Sequence, residues 1–182
     1  MRPRAKGISD QRARAYYEVT LAEAAALDGD HHLATRTLAA SQAHIEHNAD
    51  APSTTSWASH FTIGRWSHVS GMILAQMGDL TGAQAQLHQA LAVHGLDSRR
   101  SRRSRRSRAN VLGQLGALHL RPGDLDSALT TWTQFLDAAE GVQSSRVRDS
   151  AHDLRHRLAR YPDDPDARDL TERAADLLAQ QP

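Results

Sequence analysis

Two histidine pairs have the spacing of a metal site. His152-Asp-Leu-Arg-His156 places two imidazoles four residues apart, and His44-Ile-Glu-His47 places two three residues apart. Either spacing aligns both side chains on one face of a helix, and the first is the spacing of the H-E-x-x-H zinc motif. However, Asp153 stands where that motif has its glutamate, and no third ligand is evident. Because the chain contains 11 histidines, we predict surface histidines, and the alternative is an enzyme or metal-binding protein with a histidine site.

The longest run of like charge is Ser98-Arg-Arg-Ser-Arg-Arg-Ser-Arg-Arg-Ser-Arg108, which we call the arginine strip. A run of this kind can neutralise nucleic-acid phosphates without reading base sequence, but no aromatic residue is interleaved to stack on bases. We therefore predict a solvated linker. The alternatives are contact with an acidic protein partner or a second copy of the chain, and nucleic-acid binding. The seven arginines are Arg99, Arg100, Arg102, Arg103, Arg105, Arg106 and Arg108.

Other catalytic chemistries lack their residues. The chain has no cysteine, which excludes a thiol nucleophile, a thiolate metal site and a disulfide framework. No Ser-His-Asp order or nucleophile elbow is found, and the glycines are scattered singly rather than grouped in a phosphate loop. The acidic pair Asp163-Asp164 falls in a predicted turn, where helix capping accounts for it. We predict a non-enzymatic protein without a cofactor.

Composition favours an all-α protein. The formal net charge of +1 comes from 22 basic and 21 acidic residues, yet seven of the basic residues lie in the arginine strip, so the rest of the chain is acidic. Alanine and leucine dominate, and the few aromatic residues disfavour an all-β fold. The first ten residues are charged and resemble no signal peptide. No apolar run is long enough to span a membrane, and we predict a soluble, cytoplasmic protein.

Apolar residues recur at helical spacing along the chain. They predict a flexible tail at 1–9 and a single repeat domain at 10–182, with hairpins at about 10–47, 56–93, 106–140 and 144–180 and loops at 48–55 and 94–105. The first helix of the second hairpin is predicted from Ser56 to Met77. Three hairpins turn at Gly-Asp, where glycine can end one helix in the left-handed conformation and aspartate can cap the next. These turns are Gly29-Asp30, Gly78-Asp79 and Gly123-Asp124.

The three turns lie in a repeated pattern of small and large residues. A small residue before each turn is followed twelve residues later by alanine, and four residues further on by a large apolar residue. Small residues let two antiparallel helices touch, and the large residue fills the wedge between neighbouring hairpins. We also expect Trp57, Phe61 and Trp66 to pack between the first and second hairpins. The repeated triplets are Ala22, Ala34 and Leu38; Gly71, Ala83 and Leu87; and Gly116, Ala128 and Trp132.

This pattern resembles the tetratricopeptide repeat, which implies a solenoid of stacked helical hairpins. The Gly-Asp turns lie farther apart than the 34-residue unit of that family, with the surplus in the 48–55 loop and the arginine strip. The matching positions are Leu112, Leu115, Gly116, His119, Ala128, Trp132 and Phe135 in the third unit; Ser67, Ser70, Gly71, Leu74, Ala83, Leu87 and Ala90 in the second; and Glu18, Leu21, Ala22, Ala25, Ala34, Leu38 and Ser41 in the first.

A narrower resemblance is to the C-terminal repeat half of actinobacterial helix-turn-helix transcriptional regulators. It is carried by Trp57-Ala-Ser-His-Phe61, by Ser107-Arg-Ala109, and by Ser145-Arg-Val-Arg-Asp149 with Leu154 and Leu158. Those regulators carry their DNA-binding domain before the repeats, whereas this sequence begins almost at its first helix. The resemblance therefore implies the sensing and interaction half, and DNA binding does not carry over.

The tetratricopeptide resemblance also implies a concave groove lined by the first helix of each hairpin. Positions two, five, nine and thirteen of those helices face inward and give the candidate ligand-binding residues. Their mixture of charged, polar and apolar side chains could hold a peptide or its carboxylate. We expect a protein- or peptide-binding module in bacterial regulation, and the first hairpin also offers a homodimer surface. The candidates are Tyr16, Glu23, Arg65, His68, Met72, Asn110 and Arg121.

Overall fold

The computed structural model describes residues 10–47, 57–97 and 102–180, with side chains at 10–47, 58–93 and 104–180. Across these residues the chain forms α-helices and a short 3₁₀ helix, Trp57–His60, with no strand, so the all-α prediction is confirmed. The predicted tail at 1–9 and loop at 48–55 lie outside them. The helices are α1 Gln11–Leu27, α2 His31–His47, α3 Ile63–Gln76, α4 Leu80–Asp97, α5 Arg102–His119, α6 Leu125–Ala139, α7 Ser145–Leu158 and α8 Pro165–Ala179.

The three Gly-Asp turns share one geometry, as predicted. Each glycine has a positive φ, between +79° and +89°, which side chains other than glycine rarely adopt. The carboxylates of Asp30, Asp79 and Asp124 each accept a hydrogen bond from the backbone N–H three residues later, at 2.8–3.0 Å. Each turn therefore ends one helix and caps the next by the same local chemistry.

The turn before α6 contains a carboxyl, Asp124, that we expect to make stability depend on pH. Hydrogen bonds from Ser127 lower the pKa of Asp124, with a smaller coulombic contribution from His119. A carboxyl whose pKa is lower in the folded state stabilises the fold above its unfolded pKa, and this contribution is lost as the pH falls through the folded pKa. We expect the stability advantage of wild type over Asp124→Asn to shrink as the pH falls below about 4. Urea unfolding over this pH range measures it.

The matched control for this titration is Thr62→Ala, because Thr62 caps α3 through a hydroxyl that carries no titratable proton in this pH range. Its stability difference from wild type should stay constant across the same pH range. A difference between wild type and Asp124→Asn that stays constant with pH would contradict the assignment.

The chain divides into two compact units between Ala90 and Leu91. In the first unit α1 packs against α2, and α3 packs against both. Trp66 and Phe61 are buried in this unit, as predicted. The Trp66 indole N–H donates to Ser41 Oγ on α2 at 2.9 Å, and the Ser41 hydroxyl donates to the Ala15 carbonyl on α1 at 2.6 Å. The side chain of Trp57 is not among those that the structure describes.

The continuous helix predicted from Ser56 to Met77 is wrong. The 3₁₀ helix Trp57–His60 closes with a hydrogen bond from the Phe61 N–H to the Ala58 carbonyl at 2.8 Å. Thr62 follows in an extended conformation, and its hydroxyl accepts from the Arg65 N–H to cap α3. A threonine side chain that caps a helix competes with continuation of the helix through it, so α3 begins only at Ile63.

In the second unit α5 packs on α6, α7 packs on α8, and the two hairpins meet through α5 with α7 and α6 with α8. The small residue and the large residue of the repeated pattern contact each other within one hairpin, because a Cβ built on Gly116 would lie 2.5 Å from the Trp132 indole. The same holds in the first unit, where a Cβ on Gly71 would lie 2.9 Å from Cγ of Leu87. Both glycines therefore permit a helix contact that alanine would crowd.

The predicted loop at 94–105 is too long. The structure continues α4 to Asp97 and begins α5 at Arg102, so only 98–101 lie between the two described helices. The sequence-based boundary followed Gly95, but one glycine in a helix interior costs only about 1 kcal/mol relative to alanine. Arginine is among the better helix formers, which favours helix rather than loop at the end of the arginine strip.

Candidate functional site

Helices α1 and α3 of the first unit lie side by side and form the best-defined exposed surface. Tyr16 of α1 meets Phe61, just before α3, edge to face with ring centroids 5.4 Å apart. Val69 of α3 is half-buried against the core cluster that contains Val19 of α1. The surface beside this contact is what we call the α1–α3 face. It consists of Tyr16, Thr20, Glu23 and Leu27 of α1 and Arg65, Val69, Met72 and Gln76 of α3.

The α1–α3 face holds all the exposed large apolar side chains found among the described residues. Tyr16 is 39% exposed, Met72 36% and Leu27 69%. A soluble protein tolerates single exposed apolar residues, but several on adjoining helices are typical of an interaction surface. The face therefore offers apolar contacts to a partner of complementary shape.

Two exposed charges of opposite sign lie on the same face, one on each helix. Glu23 belongs to α1 and Arg65 to α3. His68, one turn after Arg65, is half-buried. The face therefore carries a negative charge on α1 and a positive charge on α3, which favours partners that carry complementary charges.

The chain matches no protein-family model, no curated protein and no solved structure.

The predicted groove residues divide between the two units. Tyr16, Glu23, Arg65, His68 and Met72 belong to the first, and all five lie on α1 or α3. Asn110 and Arg121 belong to the second, both on α5. The α1–α3 face therefore carries most of the predicted set.

In the second unit α5 and α7 cross closely. A Cβ on Gly113 would lie 2.8 Å from Cβ of Ser150, and the Gly113 carbonyl accepts a hydrogen bond from the Trp132 indole at 3.2 Å. One turn earlier, the Asn110 side chain has a buried Oδ1 without a hydrogen-bond partner. Arg121 is exposed after the end of α5. Gly113 thus serves helix packing between α5 and α7.

The arginine strip is partly helical, and one of its side chains has a structural contact. Arg99 and Arg100 lie outside the described residues, and Arg102 and Arg103 begin α5 without described side chains. The Arg105 guanidinium donates to the backbone carbonyl of Glu140, the residue that follows α6. Carbonyls at a helix C-terminus lack intrahelical donors, so Arg105 satisfies one of them. Arg106 is exposed and Arg108 half-buried.

The histidine pairs do not gain a third ligand. His152 and His156 are exposed on α7, and the intervening Asp153 forms an ion pair with Arg157 at 2.6 Å. On α2, His44 is half-buried and His47 exposed. No group of three histidine, aspartate or glutamate side chains in the described part of the chain could hold a metal ion.

Asp164 caps α8 through the Ala167 N–H at 2.8 Å, which confirms capping as its role.

Leu27 is a member of the face that sequence reasoning missed. Leu27 is at position thirteen of α1, the position that gives Gln76 on α3 and Arg121 just after α5. The common register of these helices is therefore the sequence signal for Leu27.

None of the described helices is long and apolar enough to cross a membrane.

Proposed function

We propose that this chain is a non-catalytic helical-repeat protein of the tetratricopeptide type that binds a protein or peptide partner through the α1–α3 face. The three identical Gly-Asp turns and the close helix contacts at Gly71 and Gly116 support the repeat assignment. The observation that carries the binding proposal is that the exposed large apolar side chains of the described residues, Tyr16, Leu27 and Met72, all belong to α1 or α3.

The apolar residues of the face supply most of the binding energy in this proposal. Covering a fully exposed leucine- or methionine-sized side chain contributes about 1.5–3 kcal/mol, and Tyr16 and Met72 contribute less because each is already more than half buried. Such gains must offset the entropy lost on association, so the proposal needs all three apolar contacts and not one alone. The role of Glu23 and Arg65 is to select the partner and set its orientation.

The wider assignments rest on the sequence resemblance. We place the protein in the bacterial cytoplasm and in regulation, because the segments that open and close its repeats resemble actinobacterial regulators. A groove continued by Asn110 and Arg121, and nucleic-acid binding through the arginine strip, stay predictions. For the strip, the contact of Arg105 with Glu140 supports a structural role at that residue.

Lysine substitutions on the face should abolish partner capture. The variants are Leu27→Lys and Met72→Lys, with Ala39→Lys as the matched control because Ala39 is an exposed residue of α2 outside the face. We expect each face variant to weaken binding about tenfold or more, since about 1.4 kcal/mol corresponds to tenfold in affinity. The measurement is capture from a lysate of the source cells on immobilised full chain, quantified by mass spectrometry, with affinities then measured on the purified partner.

A partner retained by wild type and Ala39→Lys but lost by both face variants supports the proposal. A partner retained by all four proteins would place the binding surface elsewhere. Sedimentation of the same proteins tests the homodimer alternative. Self-association of wild type that both face variants abolish would mean that a second copy of the chain covers the face.

A further inference from the structure

We propose that the partner of the α1–α3 face is an amphipathic α-helix, rather than an extended peptide, with a basic residue beside Glu23 and an acidic residue beside Arg65. This inference rests on the proposed function and specifies the chemistry of the partner. Three properties of the face carry it: the spacing of its side chains, its hydrogen-bonding groups and its charges.

The spacing of the face is the spacing at which helices pack together. On α1 the residues Tyr16, Thr20, Glu23 and Leu27 follow in steps of four, three and four, and on α3 the residues Arg65, Val69, Met72 and Gln76 do the same. Such steps keep side chains in one stripe, and these stripes are the ridges that interlock with a neighbouring helix. Each stripe is about 16 Å long, which matches about three turns of a partner helix.

The exposed polar side chains of the face, Glu23, Arg65 and Gln76, can pair only part of an extended backbone. An extended peptide presents unpaired N–H and C=O groups that its binding surface must pair. The Thr20 hydroxyl already donates to the Tyr16 carbonyl at 2.8 Å, and Tyr16, Leu27, Val69 and Met72 contribute apolar surface. A helix satisfies its own backbone and needs only side-chain contacts, so it suits this surface better.

The charges of the α1–α3 face specify which charges the two flanks of the partner helix should carry. Glu23 and Arg65 are exposed on different helices, so a ligand lying between α1 and α3 passes a negative group on one side and a positive group on the other. A helix with an apolar stripe, a basic residue on the α1 side and an acidic residue on the α3 side pairs both charges. The reversed arrangement places like charges together, which disfavours binding.

Selection from two displayed peptide libraries tests the inference. Both contain 18-residue peptides with the same number of randomised positions, one on an alanine-rich helical scaffold and one whose scaffold is interrupted by prolines that prevent a helix. The full-length wild-type chain is the target, and Leu27→Lys and Ala39→Lys are the comparison targets. We expect binders from the helical library, with apolar residues in steps of three and four, that bind Ala39→Lys but bind Leu27→Lys about tenfold or more weakly.

The outcomes separate the inference from the proposed function. Binders from the proline-interrupted library that depend on Leu27 would overturn the helical partner and leave the proposed function standing. Helical binders that Leu27→Lys does not weaken, or no binders from either library, would count against both.

Reversing the charges of the face should reverse the charge preference of the selected helix. In the double variant Glu23→Arg/Arg65→Glu the fold is kept, because both side chains are exposed. We expect a selected peptide to bind this variant at least about tenfold more weakly than wild type, and a version with exchanged basic and acidic flanks to recover the affinity. Fluorescence anisotropy of labelled peptides measures both. Equal affinity of the two peptides for the double variant would refute the assigned orientation.

Discussion

Replacing Trp132 with alanine is expected to lower the free energy of unfolding of the second unit by about 3–5 kcal/mol. Trp132 is completely buried between α5 and α6, and its indole N–H donates to the Gly113 carbonyl at 3.2 Å. The alanine variant loses the apolar burial of the ring and leaves a cavity that the close-packed helices cannot fully collapse. Urea unfolding followed by circular dichroism measures the loss, and hydrogen exchange of α5 and α6 localises it.

A substitution at Gly116 tests whether the contact between this glycine and the Trp132 indole affects the stability of the second unit. A Cβ at this position would lie 2.5 Å from the ring, so Gly116→Ala alone should destabilise the protein by about 1–3 kcal/mol through overpacking. In the Trp132→Ala background the ring is gone, and the same change should stabilise by up to about 1 kcal/mol because alanine favours helix more than glycine. A reversal of sign between the two backgrounds is expected. If Gly116→Ala changed the free energy of unfolding in the same direction in both backgrounds, the Gly116–Trp132 contact would not determine the effect of the substitution.

The features that could be predicted from the sequence are those encoded within a few residues. Gly78 and Asp79 specify their turn locally, since the glycine adopts the left-handed conformation and the carboxylate caps the following helix. The pairing of Gly116 with Trp132 follows from the geometry of a hairpin with a short turn. These local rules gave the all-α class and the helix pairs without any knowledge of distant contacts.

The features that sequence reasoning missed depend on competition or on distant contacts. Whether Thr62 continues a helix or caps one is decided by a small free-energy difference. At the start of α5 the high helix propensity of arginine favours a helix, whereas the charge of the run favours a solvated linker. The contact of Arg105 with Glu140 joins residues 35 positions apart. Periodicity within one helix contains no information about it.

The candidate site was partly predictable because repeat register can be read from the sequence of each helix. Tyr16 and Met72 were found because repeat register places them on the groove side of their helices, and Leu27 is at an equivalent position on α1. Exposure could not be derived from register alone, since Val19, at position five of α1, is buried in a core cluster with residues of α2 and α3. Which groove positions remain available to a partner is therefore a property of the packed unit.

The Ser41→Ala substitution is expected to cost about 1–3 kcal/mol in the first unit, although it removes a single oxygen atom. Ser41 is completely buried, and its hydroxyl accepts from the Trp66 indole on α3 and donates to the Ala15 carbonyl on α1. One side chain of α2 thus connects α1 and α3, the two helices that carry the α1–α3 face. Removing the oxygen leaves the buried Trp66 N–H without an acceptor, and an unsatisfied buried donor costs more than an average hydrogen bond contributes.

Ser67→Ala is the matched control for this substitution, because it makes the same chemical change in the same unit. Ser67 is also completely buried, but its hydroxyl has no hydrogen-bond partner, so removing the oxygen should be neutral or slightly stabilising. A double-mutant cycle with Trp66→Phe, which lacks the indole N–H, completes the test. We expect Ser41→Ala to cost less in the Trp66→Phe background, because no donor is then left unpaired. Equal costs in the two backgrounds, or equal costs for the two serines in wild type, would show that the hydrogen bond to Trp66 does not hold these helices together.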